Sequence, residues 1–214
     1  MTRHSLSLDA TDYRAVAEAV FEDVPLGQAG AILADPPWRF NAYSGASEKI
    51  ERHYDTMTIP AIKSLPVAEL AAPDCVLFLW VTDPLLAVGL EVMRAWGFTY
   101  KTVGFNWAKL RKGGAELPAT DEAFFSGMGY WTRANPELCL LGTRGSPSRN
   151  DTTEARRVRR LIVDERREHS RKPDCQYKRI EALVPGPYIE LFSRTARPGW
   201  HAWGAMAGKF GEAA

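Results

Sequence analysis

Several common catalytic devices are missing from this sequence of 214 residues. Its three cysteines, Cys75, Cys139 and Cys175, are widely spaced and odd in number, with no CxxC pair. Neither a disulfide framework nor a zinc ribbon is indicated, and a reducing compartment is expected. The four histidines, His4, His53, His169 and His201, lack metal-ligand spacing, and there is no GxxxxGK(S/T) loop. Metal catalysis and nucleotide hydrolysis find no support, and neither does covalent cysteine or serine chemistry. The longest apolar run, Cys75 to Val81, falls far short of the roughly 20 residues a membrane-spanning helix needs. The opening MTRHSLSLDATDYR has no apolar signal core, so a soluble cytoplasmic protein is expected. Neither sign of charge prevails: 27 Lys and Arg stand against 26 Asp and Glu, a net of +1. That balance excludes a histone-like polycation and a wholly acidic disordered chain.

What is present is 45% hydrophobic and 25% charged, and its length suits one compact domain over 1–214. Within it, 1–28 reads as an N-terminal helical extension and 29–204 as the core. The charge is unevenly placed: residues 1–107 carry 8 basic and 13 acidic side chains, and residues 108–214 carry 19 and 13. Any polyanion must meet a local surface supplied by the second half.

Apolar residues at helical spacing from Ala10 to Phe21 predict a first helix, capped by Asp9 or Thr11. AGAILA (Ala29 to Ala34) and CVLFLW (Cys75 to Trp80) are apolar without alternation, as in strands buried on both faces. A helix is expected between Thr82 and Trp96 and a strand from Phe98 to Trp107. Further strands are expected at Glu137 to Gly142, near Val158 to Val163 and at Tyr188 to Phe192, with a helix from Pro173 to Leu183. Such alternation predicts a three-layer α/β domain. Arg39 to Thr58 and Arg111 to Tyr130 read as long loops, which in a compact domain serve as lids or binding loops.

The sharpest local feature is Asp35-Pro36-Pro37-Trp38, directly after the first apolar strand. In an open α/β sheet, ligands bind in the crevice at the carboxyl ends of the strands, where this segment falls. Two prolines remove two N–H donors and fix φ, leaving the carbonyls of Asp35 and Pro36 beside an aromatic ring. Such a ledge of acceptors suits an exocyclic amino group on a base, whose lone pair is delocalised into the ring. Accepting its hydrogens turns the nitrogen toward tetrahedral geometry, and an aromatic partner stacks the base for about 1–3 kcal/mol. The alternative is a proline turn ending a strand, with Asp35 a cap and Trp38 a core residue.

With His53-Tyr54-Asp55-Thr56-Met57, Leu79-Trp80-Val81-Thr82, Trp107-Ala108-Lys109, Gly129-Tyr130-Trp131-Thr132-Arg133, Glu137, His169-Ser170-Arg171-Lys172-Pro173-Asp174, Ile189-Glu190-Leu191-Phe192-Ser193-Arg194 and Trp203-Gly204 following in order, the chain resembles the MT-A-seventy-like adenine amino-methyltransferases. The resemblance covers about residues 29 to 204. That family includes the catalytic subunit of the eukaryotic messenger-RNA adenosine methyltransferase and bacterial and phage DNA adenine methyltransferases. The stretch from Phe125 to Glu137 is nearest to bacterial and phage members.

The resemblance implies a Rossmann-like fold of permuted motif order, binding S-adenosylmethionine as cofactor, with 29–204 as its catalytic core. It implies a site-specific DNA (adenine-N(6))-methyltransferase in which Asp35, Pro36, Pro37 and Trp38 form the catalytic segment. Asp35 and the Pro36 carbonyl would receive the adenine amino group, and Trp38 and Tyr54 would bracket its ring. Lys172 matches a lysine that contacts the cofactor carboxylate or the target base. Phe192 and Arg194 match positions beside the cofactor ribose and adenine, although Phe192 also suits a core position at a strand end. Glu190 stands between the cofactor shell and a strand-end charge. Trp131, Arg133 and Glu137 fall in a loop near the substrate, where Arg133 would pair with Glu137 or a phosphate, while Trp107 and Lys109 would wall the pocket.

Arg156, Arg157, Arg159, Arg160, Arg166, Arg167 and Arg171 make up a basic region over 156–171, expected to track phosphates beside the pocket. Methylating a base within a duplex would require flipping it out. Ala205-Met206 replaces the amide and acidic residues usual in the family after Trp-Gly, which implies ribose contacts from elsewhere and a modest cofactor affinity. No separate target-recognition domain is apparent. The same reaction on RNA is the nearest alternative, and a non-catalytic nucleic-acid-binding subunit, in a homodimer or beside a partner, is the alternative from another class.

Overall fold

In a computed structural model that describes residues 12–39, 56–118, 120–168 and 170–204, the apolar runs form central strands. Strand β1 (Ala29–Ala34) lies between β2 (Ala71–Val81) and β6 (Tyr188–Leu191), parallel to both. β7 (Trp200–Trp203) adds in parallel beyond β6. On the other side, β4 (Glu137–Arg144) runs antiparallel between β2 and β3 (Thr99–Leu110), and β5 (Leu161–Glu165) pairs in parallel with β3. The seven strands form one sheet in the order β5-β3-β4-β2-β1-β6-β7.

The absence of alternation in β1 and β2 reflects burial on both faces. On one face Ile32, Leu77 and Leu79 meet Ala17 of α1 (Tyr13–Val20), Ile62 of α2 (Ile59–Ser64) and Val92 and Met93 of α3 (Leu86–Ala95). On the other face Leu33, Val76, Phe78 and Trp80 meet Tyr177 and Ile180 of α5 (Cys175–Leu183). Each fully buried side chain of this size contributes about 1.5–3 kcal/mol. The three-layer, mostly parallel arrangement is Rossmann-like, as expected. No helix among the described residues is long and apolar enough to cross a membrane.

Several local details differ from the sequence-based expectations. The cap of α1 is Asp12 rather than Asp9 or Thr11: its carboxylate accepts from the backbone N–H groups of Arg14 and Ala15, both at 3.1 Å. The strand expected near Val158 to Val163 begins later, at Leu161, preceded by a short helix α4 (Thr153–Arg157) capped by the Thr152 hydroxyl. α2 and β7 were not anticipated. α2 starts on the Thr58 hydroxyl with Pro60 in its first turn, and β7 is fixed by its tryptophans. Trp200 donates to Glu181 Oε1 at 2.7 Å, and Trp203 donates to the Val20 carbonyl at 2.8 Å while meeting Phe21 edge to face.

The stretch after β3 is more ordered than a bare loop, with 3₁₀ turns at Gly114–Glu116 and Asp121–Ala123. A Cβ on Gly114 would lie 2.4 Å from the Ala123 carbonyl oxygen, so only glycine fits where these turns cross. Most of the other expected loop, Arg39 to Thr58, lies outside the described residues.

Candidate active site

All strands except β4 present their carboxyl ends at one edge of the sheet, and β4, reversed, presents its first residue there. Asp35 follows β1, Lys109 is next to last in β3, Glu137 opens β4, and Glu190 and Phe192 mark the end of β6. Lys172, from the loop before α5, reaches into their midst. Its Nζ lies 2.7 Å from Asp35 Oδ2 and 3.2 Å from Glu137 Oε2, and Lys109 Nζ lies 2.5 Å from Glu137 Oε1. Cations and carboxylates thus alternate in an array, Asp35–Lys172–Glu137–Lys109, whose net charge is zero.

This neutrality makes the burial tolerable, because a charge removed from water must be paired and hydrogen-bonded. Lys172 is 8% exposed, and it also donates to the carbonyl and hydroxyl of Ser170. Burial would push Glu137 up, but Lys172 and then Lys109 outweigh it and hold the carboxyl at about 2. Burial works against the charge of Lys172 too, yet Asp35 and Glu137 leave its ammonium firmer than usual. For Asp35 burial prevails over Lys172, and its carboxyl lies above the ordinary range.

Beside the array opens a cleft lined by Leu33, Asp35, Trp80, Lys172, Tyr177 and Glu190, with Arg171, Asp174, Phe192 and Arg194 at its sides. Glu190 accepts from the Tyr177 hydroxyl on one oxygen and from the Ser193 hydroxyl on the other, both at 2.9 Å. Burial lifts its carboxyl to about 7 despite these donors. The Arg197 guanidinium lies 4.0 Å over the Tyr177 ring and 3.8 Å from Asp174. Its Nε is buried with no hydrogen-bond partner among the described residues. Trp80, under the cleft, is locked by Gln176 at 2.7 Å.

Asp35, Lys172, Glu190, Phe192 and Arg194, separated by up to 159 positions in the sequence, therefore line one cleft, with Glu137 behind it. Other expectations change. Trp38 is 6% exposed and part of the hydrophobic core, its Nε1 donating to the Trp80 carbonyl at 3.0 Å, so its ring is not an open stacking face. The Pro36 carbonyl accepts from the Trp38 N–H at 2.8 Å and keeps one lone pair. The Pro37 carbonyl holds Met57. Tyr54, His169 and Ala205-Met206 lie outside the described residues.

Arg133 is exposed and does not pair with Glu137, whose partners are lysines, and Trp131 is fully exposed. Trp107 is buried as a wall residue, donating to the Asp164 carbonyl, but Lys109 belongs to the charged array.

The basic region is not one patch. Arg156, Arg157, Arg159 and Arg160 precede β5, and Arg166, Arg167 and Arg171 follow it, a strand of about 16 Å apart. In the first group Arg156 pairs with Asp151. In the second, Arg167 and Arg171 pair with Asp174 at the rim of the cleft. Sequence reasoning missed Lys109 as an array member and Tyr177, Ser193 and Arg197 as supports of Glu190. The Tyr177 and Arg197 signals lie within a helix and a loop that carry no motif.

A largely parallel sheet with a charged cleft at its carboxyl edge is the arrangement in which open α/β domains bind their ligands. The MT-A70 family model matches residues 30–206, and the chain belongs to that family, which uses S-adenosylmethionine as methyl donor. The chain is 30% identical over 206 residues to the type II methyltransferase M.MunI of Mycoplasma sp, covering 87% of this chain and 81% of that protein. It is 34% identical over 184 residues to a putative N(6)-adenosine-methyltransferase MT-A70-like protein of Medicago truncatula, and 32% over 180 residues to the human N(6)-adenosine-methyltransferase catalytic subunit METTL3. These matches cover 84% and 82% of this chain but only 26% and 27% of those longer proteins.

The residues present fit the methyl donor. Arg171, Lys172 and Arg194 offer cations to its carboxylate, and the acidic side chains suit its ammonium and ribose hydroxyls. The unpartnered buried Nε of Arg197 marks a donor still to be satisfied beside the cleft.

Proposed function

We propose that this methyltransferase acts on the exocyclic N6 of adenine in DNA. The observation that carries the reading is the Asp35 carboxylate at the cleft, gripped by Lys172 and followed by the two-proline ledge. The likeness to M.MunI, which this chain matches over most of both lengths, favours DNA over RNA. The plant and animal relatives named for adenosine methylation motivate the same chemistry on RNA as the second reading.

Asp35, Lys172, Glu190, Phe192 and Arg194 are the residues that would hold the cofactor, with Glu190 facing hydroxyls and Arg194 the ribose side. When bound, S-adenosylmethionine supplies a methyl group on a positively charged sulfur. Asp35 and the remaining lone pair of the Pro36 carbonyl accept the adenine amino hydrogens and aim the nitrogen lone pair outward. Placing nitrogen and methyl in line is the main contribution, since it makes the displacement effectively unimolecular. Once the nitrogen has gained the methyl it must shed a proton, and Asp35, raised by burial, accepts it and passes it to solvent. Tyr54, Trp131, Arg133 and Glu137 complete the substrate side of this reading. The arginines beside β5 would contact phosphates, whether the chain works alone, as a homodimer or with a partner subunit.

The test is methyl transfer from labelled S-adenosylmethionine to duplex DNA, single-stranded DNA and RNA side by side, with Asp35→Ala as control. N(6)-methyladenine in DNA, formed by the native protein and lost in the variant, is the expected result. Transfer to RNA alone establishes the second reading. Cofactor binding without transfer to any of them overturns both readings for the chain on its own and points to a missing partner or another substrate, and absence of cofactor binding points to a non-catalytic subunit.

A further inference from the structure

Between β3 and β4 the chain builds a short finger over residues 125–136. Its stem is closed by the Gly127 N–H donating to the Ala134 carbonyl at 2.7 Å, within an antiparallel bridge. A Cβ on Gly129 would lie 2.0 Å from the Thr132 carbonyl oxygen, so the tip folds back on its own backbone.

The base is riveted to β3. Asn135 Nδ2 donates to the carbonyls of Lys109 and Phe125 at 2.9 and 2.5 Å, and its Oδ1 accepts from the Lys109 N–H at 3.0 Å. The Arg166 guanidinium lies 4.0 Å over the Phe125 ring. The finger is thus a fixed support, and it carries its apolar side chains outward. Met128 is 71%, Tyr130 61% and Trp131 100% exposed.

Trp131 stands apart from Trp38, Trp80, Trp96, Trp107 and Trp200, which are all at most 7% exposed. Large aromatics grouped on a rigid projection mark an interaction site rather than scatter. Chemistry selects the partner. From Phe124 to Pro136 the single charged residue is Arg133, with no carboxylate, so the tip offers ring faces and one cation without repelling phosphate. That combination serves nucleobases, which stack on aromatics irrespective of sequence.

Position narrows it further: from Arg133 to Glu137 the chain spans four residues, about 13 Å if extended, or a few nucleotides from the cleft. We propose that Trp131, supported by Tyr130 and Arg133, is a wedge that stacks against a base flanking the target, outside the pocket. The proposal rests on the reading of a nucleic-acid substrate.

Intrinsic fluorescence tests it directly, because Trp131 supplies a solvent-exposed, iodide-quenchable emission that is lost in Trp131→Ala. An adenine-containing oligonucleotide added to the full chain is expected to shield that emission. Trp131→Ala should raise the KM for the oligonucleotide about 5- to 150-fold, while Trp131→Phe retains most of the affinity. The affinity for S-adenosylmethionine and the salt dependence of binding stay unchanged.

Methylation of the oligonucleotide with the Trp131 emission unmoved overturns the wedge and leaves the methyltransferase reading intact. Shielding without methylation supports the wedge and counts against that reading. A protein that sediments as a dimer and becomes a monomer in Trp131→Ala overturns the wedge in favour of a contact between copies.

Discussion

Replacing Lys172 by methionine removes the cation between Asp35 and Glu137 while keeping the length of the side chain. Lys172 and Lys109 together hold Glu137 at about 2 rather than its ordinary 4.5, which corresponds to about 3 kcal/mol shared between the two lysines. Removing Lys172 also leaves Asp35 buried without its cation, and breaking a buried pair by removing one partner costs about 3–5 kcal/mol. For a domain of this size each kcal/mol moves the melting temperature by about 2–4 °C, so a loss of about 10 °C is expected at pH 8.

The loss should depend on pH in a defined sense. In the native protein Glu137, depressed, contributes stability that is present above its ordinary value and lost only as pH falls toward about 2. In the variant Asp35, already raised by burial, loses the cation that opposed this rise. A raised carboxyl contributes below its unfolded value and loses that contribution as pH rises, so the Asp35 part of the deficit is small near pH 4 and full near pH 8, on top of a Glu137 part present at both. Calorimetry across that range, with Asp35→Asn/Lys172→Met as companion, makes the measurement. The companion removes the carboxylate left without its cation, leaves Glu137 paired with Lys109, and should recover the pH-dependent part of the lost stability. A variant melting within about 2 °C of the native protein at pH 8, or equally depressed at both pH values, would refute the argument.

Glu190→Gln should flatten another pH dependence: the native carboxyl, raised to about 7, contributes stability at low pH that fades as pH rises through that value. Urea unfolding at pH 5.5 and pH 8.5 checks this, and parallel behaviour of the two proteins would contradict it. Gly30→Ala places a Cβ 2.4 Å from the Pro185 carbonyl oxygen and 3.0 Å from that of Gly186, both backbone atoms. A destabilisation of about 1–3 kcal/mol is expected in thermal melts. Phe21→Ala removes the ring that meets Trp203 and should cost about 3–5 kcal/mol, with faster proteolysis within α1 as the local sign. Unchanged cleavage there would show that the helix is held by something else.

Asp35 was legible because its meaning is local: an apolar strand, a carboxylate and two prolines suffice to place it at a strand's carboxyl end. The central strands were legible for a similar reason, since burial on both faces removes alternation. The array was not, because it joins residues as far apart as Asp35 and Lys172, a sequence separation of 137. Arg133 was expected to pair with Glu137 or a phosphate, yet Glu137 is held by Lys172 and Lys109. Lys109 sits across the β3–β4 pairing, in which Trp107 faces Glu137. Sequence alone cannot separate a tryptophan that stacks on a ligand from one that fills a core, and Trp38 is the second kind. The arginines form one run in the chain, but β5 is threaded through the run and divides it in space.

The reversal of β4 has a structural corollary. In a parallel sheet, each crossover must travel the height of the domain, so its length and path are tied to a packed helix. β3 and β4 instead leave and re-enter at the same edge, and Asn135 clamps the two ends of their connection together. The connection behaves as a socket: its contents can be lengthened, shortened or exchanged while the sheet and the lysine–carboxylate array stay in register. Transplanting the connection of a relative between Lys109 and Asn135 should therefore leave the sheet and the array intact.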